Sequence, residues 1–175
     1  MNCLIRPERA DDYAAIYNVT KRAFAPMPFS DGDEQELIGR FRDAGVLALS
    51  LVAEMDDSII GQITLTPAFA ADGSPGWFAL GPIAVAPENK SMKIGSKLME
   101  AGIAWLREQE AAGCVLVGNP AYYSRFGFEL YPALAPNGEP AEYYQILPLR
   151  VQQPSEIVSF HPLFYAPNTQ NEMLK

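Results

Sequence analysis

Apolar and polar positions change rhythm several times along the chain, and each change predicts an element. Residues 2–6 alternate loosely, as a short edge strand does, and 7–12 form a turn in which Asp11 or Asp12 caps a following helix. Tyr13, Ile16, Tyr17, Thr20 and Phe24 recur at helical spacing until Pro26 and Pro28 end the run. A second helix carries Leu37, Ile38 and Phe41 on one face, with Gly45 as its stop. Residues 47–55 and 59–66 flank Asp56-Asp57-Ser58 and read as a hairpin, and 68–76 read as a loop. Residues 77–85 are nearly all apolar, a strand buried on both faces. Pro82 within it cannot donate a ladder hydrogen bond, which predicts a bulge or splay.

Residues 94–112 form the strongest helical pattern, with Ile94, Leu98, Ala101, Gly102, Trp105 and Leu106 on a broad apolar face and Gly113 as the cap. A short strand at 114–117, a short helix at 120–125 and a turn at Phe126-Gly127-Phe128 into another strand come next. The Pro-, Gly- and Asn-rich stretch 132–140 is a loop, and 143–149 and 157–160 are the last strands. After Pro167 the chain is polar and expected to be loosely held. This order predicts one α/β domain over 1–175, with 168–175 as a polar tail. Its sheet is mixed and mostly antiparallel with helices on both faces, which differs from a doubly wound nucleotide fold.

Length and composition narrow the classes. A chain of 175 residues suits a single domain. No apolar run approaches the ~20 residues that cross a bilayer, so no membrane span is expected. Arg6, Glu8, Arg9, Asp11 and Asp12 leave no room for a signal peptide. Cys3 and Cys114 are too few for a disulfide framework and read as buried thiols, which favours a cytoplasmic location. The net charge of −8 argues against nucleic acid as a partner. His161 is the single histidine, set between prolines near a terminal strand, so no metal site is expected. No Gly-x-Ser-x-Gly elbow or Walker loop supports a hydrolase or an NTPase.

Against this acidic background, Lys90, Lys93 and Lys97 form a local cationic cluster. They surround the passage from an apolar strand through a short loop into a helix. The first turn of a helix has backbone N–H groups without partners, so such a passage makes an anion site. Lysines there oppose the positive end of the helix dipole, a conflict that a bound polyanion removes.

Several segments resemble the GNAT N-acetyltransferases, and their YhbS-like branch in particular. Residues Leu4-Ile5-Arg6-Pro7-Glu8-Arg9-Ala10-Asp11-Asp12 are similar to that family's opening strand and helix start. Glu34-Gln35-Glu36-Leu37-Ile38 with Phe41-Arg42 resembles its second helix, and Leu80-Gly81-Pro82-Ile83-Ala84-Val85-Ala86-Pro87 its central strand. Gly118-Asn119-Pro120-Ala121-Tyr122-Tyr123-Ser124-Arg125-Phe126-Gly127-Phe128 is the most specific likeness, and Phe160-His161-Pro162-Leu163-Phe164 resembles the closing strand. The resemblance implies a V-shaped opening between two central parallel strands. It implies that Ile83, Ala84 and Val85 pair with the pantetheine arm of acetyl-CoA, the co-substrate. It also implies that Lys90, Ser91, Met92, Lys93, Ile94, Gly95 and Ser96 hold the pyrophosphate. Lys93 stands where the family loop has its first glycine. A lysine held at positive φ costs on the order of 1 kcal/mol, while its ammonium supplies a point charge.

Acetyl transfer to an amine needs a neutral nucleophile, donors for the oxyanion and a proton for the leaving thiolate. The resemblance gives the last role to Tyr123 and leaves Tyr122 as aromatic packing. The strand 78–85 holds no acid to serve as general base. Asp33, Glu34, Glu36 and Glu54 are alternatives, each also readable as a solvated charge; Glu34 and Glu36 are candidates for the acceptor side. Asn119 orients an amide of coenzyme or substrate, or is the turn residue before Pro120. The expected activity is direct acetyl transfer, in a ternary complex, to a primary amine of a small molecule or protein. A coenzyme-binding or regulatory module without turnover is the competing reading, and a homodimer is plausible from the resemblance.

Overall fold

The computed structural model describes residues 2–28 and 30–165. Apart from one short strand within 68–76, its elements follow the predicted order. Strand β1 is Leu4–Pro7, helix α1 Tyr13–Phe24, helix α2 Glu34–Asp43, and strands β2 and β3 are Leu49–Met55 and Ser58–Pro67. Then come β4 Phe69–Ala70, β5 Trp77–Val85, α3 Ile94–Glu108, β6 Gly113–Val117, the short α4 Pro120–Tyr123, β7 Glu129–Leu130, β8 Tyr144–Pro148 and β9 Val158–Ser159. Seven strands form one mixed sheet in the order β1-β2-β3-β5-β6-β8-β7, flanked by helices. β1 with β2, β6 with β8 and β7 with β8 are antiparallel, while β5 and β6 are parallel. The β5–β6 register runs from Trp77↔Gly113 to Ala79↔Val115.

The chain divides into two compact units, with β3, β5 and α3 passing through both. Of the described residues, the first holds those up to Thr64, Pro82–Leu98 and 162–165. Its core joins Ile16 of α1, Ile38 of α2 and Val52 of β2, with Ile59 packed against them. The β2–β3 connection is two residues, Asp56 and Asp57, both at positive φ (51° and 62°). Two left-handed residues give the tight turn that matches strand twist. The second unit holds Leu65–Gly81 and Met99–His161. Trp77 and Gly113 pair there, and a Cβ on Gly113 would lie 2.5 Å from the Trp77 ring. Gly113 is therefore a strand residue needed for close approach.

The helix it was expected to cap ends earlier, at Glu108. Glu110 takes the left-handed position instead (φ 54°), and the Ala111 N–H closes onto the Leu106 carbonyl at 3.0 Å. Other boundaries also move. Asp12 does not cap the first turn of α1; its carboxylate accepts from the Arg9 N–H at 2.7 Å and from the Arg6 guanidinium at 2.7 and 3.0 Å. The stretch read as a loop at 68–76 contains β4, which pairs with β9 in a separate two-stranded sheet. β9 is thus no part of the main sheet. Cys114 is buried, but Cys3 is half-buried just before β1. The tail expected at 168–175 lies outside the described residues.

Candidate active site

In the first unit, β5 delivers the loop that carries the lysines. Ala84 is buried, and Ile83 and Val85 are half-buried beside it. The Pro82 carbonyl accepts from Gln62 Nε2 at 3.2 Å and from Thr64 Oγ1 at 3.1 Å, both from fully buried side chains of β3. Proline thus has no amide to give, yet its carbonyl anchors the strand twice. Gly61 lets the backbones close: a Cβ there would lie 3.0 Å from the Ala84 carbonyl oxygen, 3.1 Å from Leu98 Cδ1 and 3.2 Å from Ile94 Cγ2. Neither Gln62 nor Gly61 was among the expected residues. A glycine inside an apolar strand was the available signal for the latter.

The loop itself is a 3-10 turn, Pro87–Met92, followed by Lys93 at φ 59°, ψ 26°. Lysine therefore occupies the left-handed conformation that glycine adopts freely. The Lys93 carbonyl accepts from the Lys97 N–H at 3.2 Å, the first bond of α3. The amides of Ile94, Gly95 and Ser96 precede any acceptor in the helix. Ser96 is the third helical residue. Lys90, Ser91, Met92, Lys93 and Lys97 are exposed around these amides, while Ile94 is buried and anchors the turn. Asn89, buried below, donates its N–H to the Ala86 carbonyl at 2.9 Å and its side-chain amide to Met92 Sδ at 3.3 Å. Glu88 pairs with Arg22 at the end of α1 at 2.5 Å, which holds its carboxyl below the usual range. Amides, lysines and a serine hydroxyl on one turn form a donor set that fits a diphosphate.

The four candidate acids are not free surface charges. Ser30 Oγ lies 2.7 and 2.8 Å from the two oxygens of Glu34. Glu36 accepts the Tyr17 hydroxyl at 2.7 Å with one oxygen, while the other is buried without a partner. Glu54 binds Arg6 at 2.7 Å, and Asp33 meets Arg40 at 3.4 Å. Glu34 and Asp33 are held by neighbours within seven residues, whereas the partners of Glu36 and Glu54 are distant in sequence.

In the second unit, Asn119 caps α4: its Oδ1 accepts from the Ala121 N–H at 3.0 Å. That is the turn use of Asn-Pro, and the side-chain oxygen is engaged with the backbone. α4 directs the Tyr123 ring back over Gly118, where a Cβ would lie 2.5 Å from Cε2. Tyr122 meets Tyr123 edge-on with centroids 5.0 Å apart, and Phe128 does so at 6.0 Å. Burial, helped by Tyr122, pushes the Tyr123 phenol up to about 12. Gly127 at φ 96° turns the chain from the helix toward β7. The structure so gathers Ile83–Val85 with Lys90–Ser96 in one unit, and Asn119 with Tyr123 in the other.

Residues 13–128 match the model of the acetyltransferase (GNAT) family. The chain belongs to the GNAT acetyltransferases. Among relatives of this GNAT protein is YhbS of Escherichia coli K12, an uncharacterised N-acetyltransferase, 34% identical over 128 residues, or 73% of this chain and 74% of that one. A GNAT acetyltransferase from Brucella melitensis, solved with acetyl-CoA, is 38% identical with a TM-score of 0.82 over 93% of this chain and 98% of that one. The Escherichia coli YhbS structure, solved with CoA, has a TM-score of 0.84 and 28% identity over 95% and 93% of the two chains. No described helix is long and apolar enough to cross a membrane.

Proposed function

We infer that this chain transfers an acetyl group from acetyl-CoA to a primary amine of a small molecule or protein, by direct attack in a ternary complex. The observation that carries the reading is the turn from β5 into α3, where unpaired amides and three exposed lysines meet. Two relatives solved with acetyl-CoA or CoA support it. In this reading Lys90 to Ser96 hold the diphosphate, and backbone groups of Ile83, Ala84 and Val85 hold the pantetheine arm. Tyr123 keeps its proton at neutral pH and gives it to the departing thiolate. Glu34 and Glu36 belong to the acceptor side, and the acidic balance favours a cationic acceptor. The absence of a metal-assisted step and a cytoplasmic location complete the reading.

A left-handed Lys93 favours the second reading, a module that keeps the coenzyme but not turnover. Thermal unfolding with increasing acetyl-CoA, followed by thiol release against a panel of primary amines, separates the two. A ligand at about 100 times its Kd stabilises the native state by about 2.7 kcal/mol. A shift with thiol release is expected. A shift without release leaves only the module, and no shift removes both.

A further inference from the structure

Gln145 lies on β8 between Tyr144 and Ile146 and is 1% exposed. A buried primary amide is costly unless its hydrogen bonds are used. Its Nε2 donates to the Gly118 carbonyl at 2.8 Å and to the Tyr143 carbonyl at 3.3 Å. A carbonyl oxygen only accepts, so chemistry fixes the nitrogen end of the amide toward Gly118. The Gly118 N–H donates to the same Tyr143 carbonyl at 3.1 Å. Gly118 is thus clamped at both its N–H and its C=O. The Tyr123 ring rests on that clamped backbone, with no room for even one carbon between them. Where Gly118 sits therefore decides where the Tyr123 hydroxyl sits.

We propose that Gln145 is a positioning residue for the proton donor: its buried amide clamps Gly118 and so sets the Tyr123 hydroxyl at the leaving thiolate. This rests on the reading of Tyr123 as the acid. In that step the amine nitrogen bonds the acetyl carbon, the C–S bond breaks and its electron pair stays on sulfur. Tyr123 delivers a proton to the sulfur, and the proton lost by the amine returns to the phenolate through solvent. Gln145 touches none of the reacting atoms.

A double-mutant cycle of Q145M and Y123F tests this, read as single-turnover thiol release from acetyl-CoA. The acceptor is the amine of the panel that turns over fastest, or water where none does. Y123F is expected to lose about 100-fold or more; an unchanged rate overturns the acid and its positioning together. Given that loss, Q145M should slow release about tenfold, leave acetyl-CoA affinity unchanged, and add nothing in the Y123F background. A Q145M rate equal to the parent, or an equal loss in both backgrounds, overturns the positioning and leaves the acid standing. Ring-labelled tyrosine NMR needs no turnover: the Tyr123 signal, identified by its disappearance in Y123F, should move in Q145M, and an unmoved signal overturns the proposal. Q145E offers a second variant of the same shape. Only its protonated form can donate to Gly118, so its rate relative to the parent should recover as pH falls; a constant ratio counts against the clamp.

Discussion

Gly118 and Tyr123 are in contact across the turn that follows β6: a methyl group on the one would stand 2.5 Å from Cε2 of the other and 3.2 Å from Cδ2. No real carbon pair tolerates that separation, so the ring or the turn must shift. G118A should therefore cost about 1–3 kcal/mol in overpacking. Its kcat should fall while KM for acetyl-CoA stays near the parent value. Denaturant unfolding and steady-state kinetics check the two halves separately.

The state of the Tyr123 phenol sets a pH expectation. In the proposed step the neutral phenol is the active form, and burial raises its pKa to about 12. A raised pKa extends the active form upward. The rate should rise with pH as the amine loses its proton, and no descending limb from Tyr123 should appear below about pH 10, where an unperturbed tyrosine would titrate. A kcat/KM profile carried to that pH decides the matter.

Lys93 combines a backbone conformation that disfavours it with a charge beside the helix start. K93G should relieve the left-handed strain, raising stability without coenzyme by up to about 1 kcal/mol. Loss of the ammonium should weaken acetyl-CoA binding and flatten its dependence on ionic strength. Calorimetric titration at two salt concentrations reads both. Tighter binding would make Lys93 an obstruction to the diphosphate.

Glu88 is the one carboxylate of the 3-10 turn, and Arg22 neutralises it from the last turn of α1. R22A should expose that negative charge to the approaching diphosphate and weaken coenzyme binding a few-fold at low salt. E88Q should restore it in the R22A background. If E88Q alone weakens binding as much as R22A, the pair acts by holding the loop in place instead of by charge.

Asp12 is buried between the Arg6 guanidinium and the Arg9 N–H, and the Arg6 hydrogen bond holds its carboxyl below the usual range. Its folded-state pKa is depressed, so the unfolded chain binds the proton first as pH falls. The stabilisation is fully present above about pH 4, the unfolded aspartate value, and is lost as pH drops through the folded value. D12N should lower stability at pH 7 by about 2 kcal/mol and flatten the acid limb of the stability profile. Urea unfolding between pH 7 and the acid transition measures the slope.

What the sequence determined by itself was local. Helical spacing over Tyr13 to Phe24 and the apolar run from Trp77 to Val85 depend on neighbours a few residues apart, and both elements formed with those bounds. The Gly118–Phe128 segment and the lysine-flanked loop were also legible, because a motif and a charge cluster are contiguous in the chain. The tertiary structure decided everything that joins distant residues. It gave the left-handed closure of α3 to Glu110 in place of Gly113, because Gly113 had to leave space for Trp77. It tied Glu54 to Arg6 and Glu36 to Tyr17, removing them from the pool of free charges. It set Gln62 against Pro82 and Gln145 against Gly118, 20 and 27 residues apart. A buried amide announces in sequence that it needs a partner, but only the folded chain brings that partner within hydrogen-bond reach.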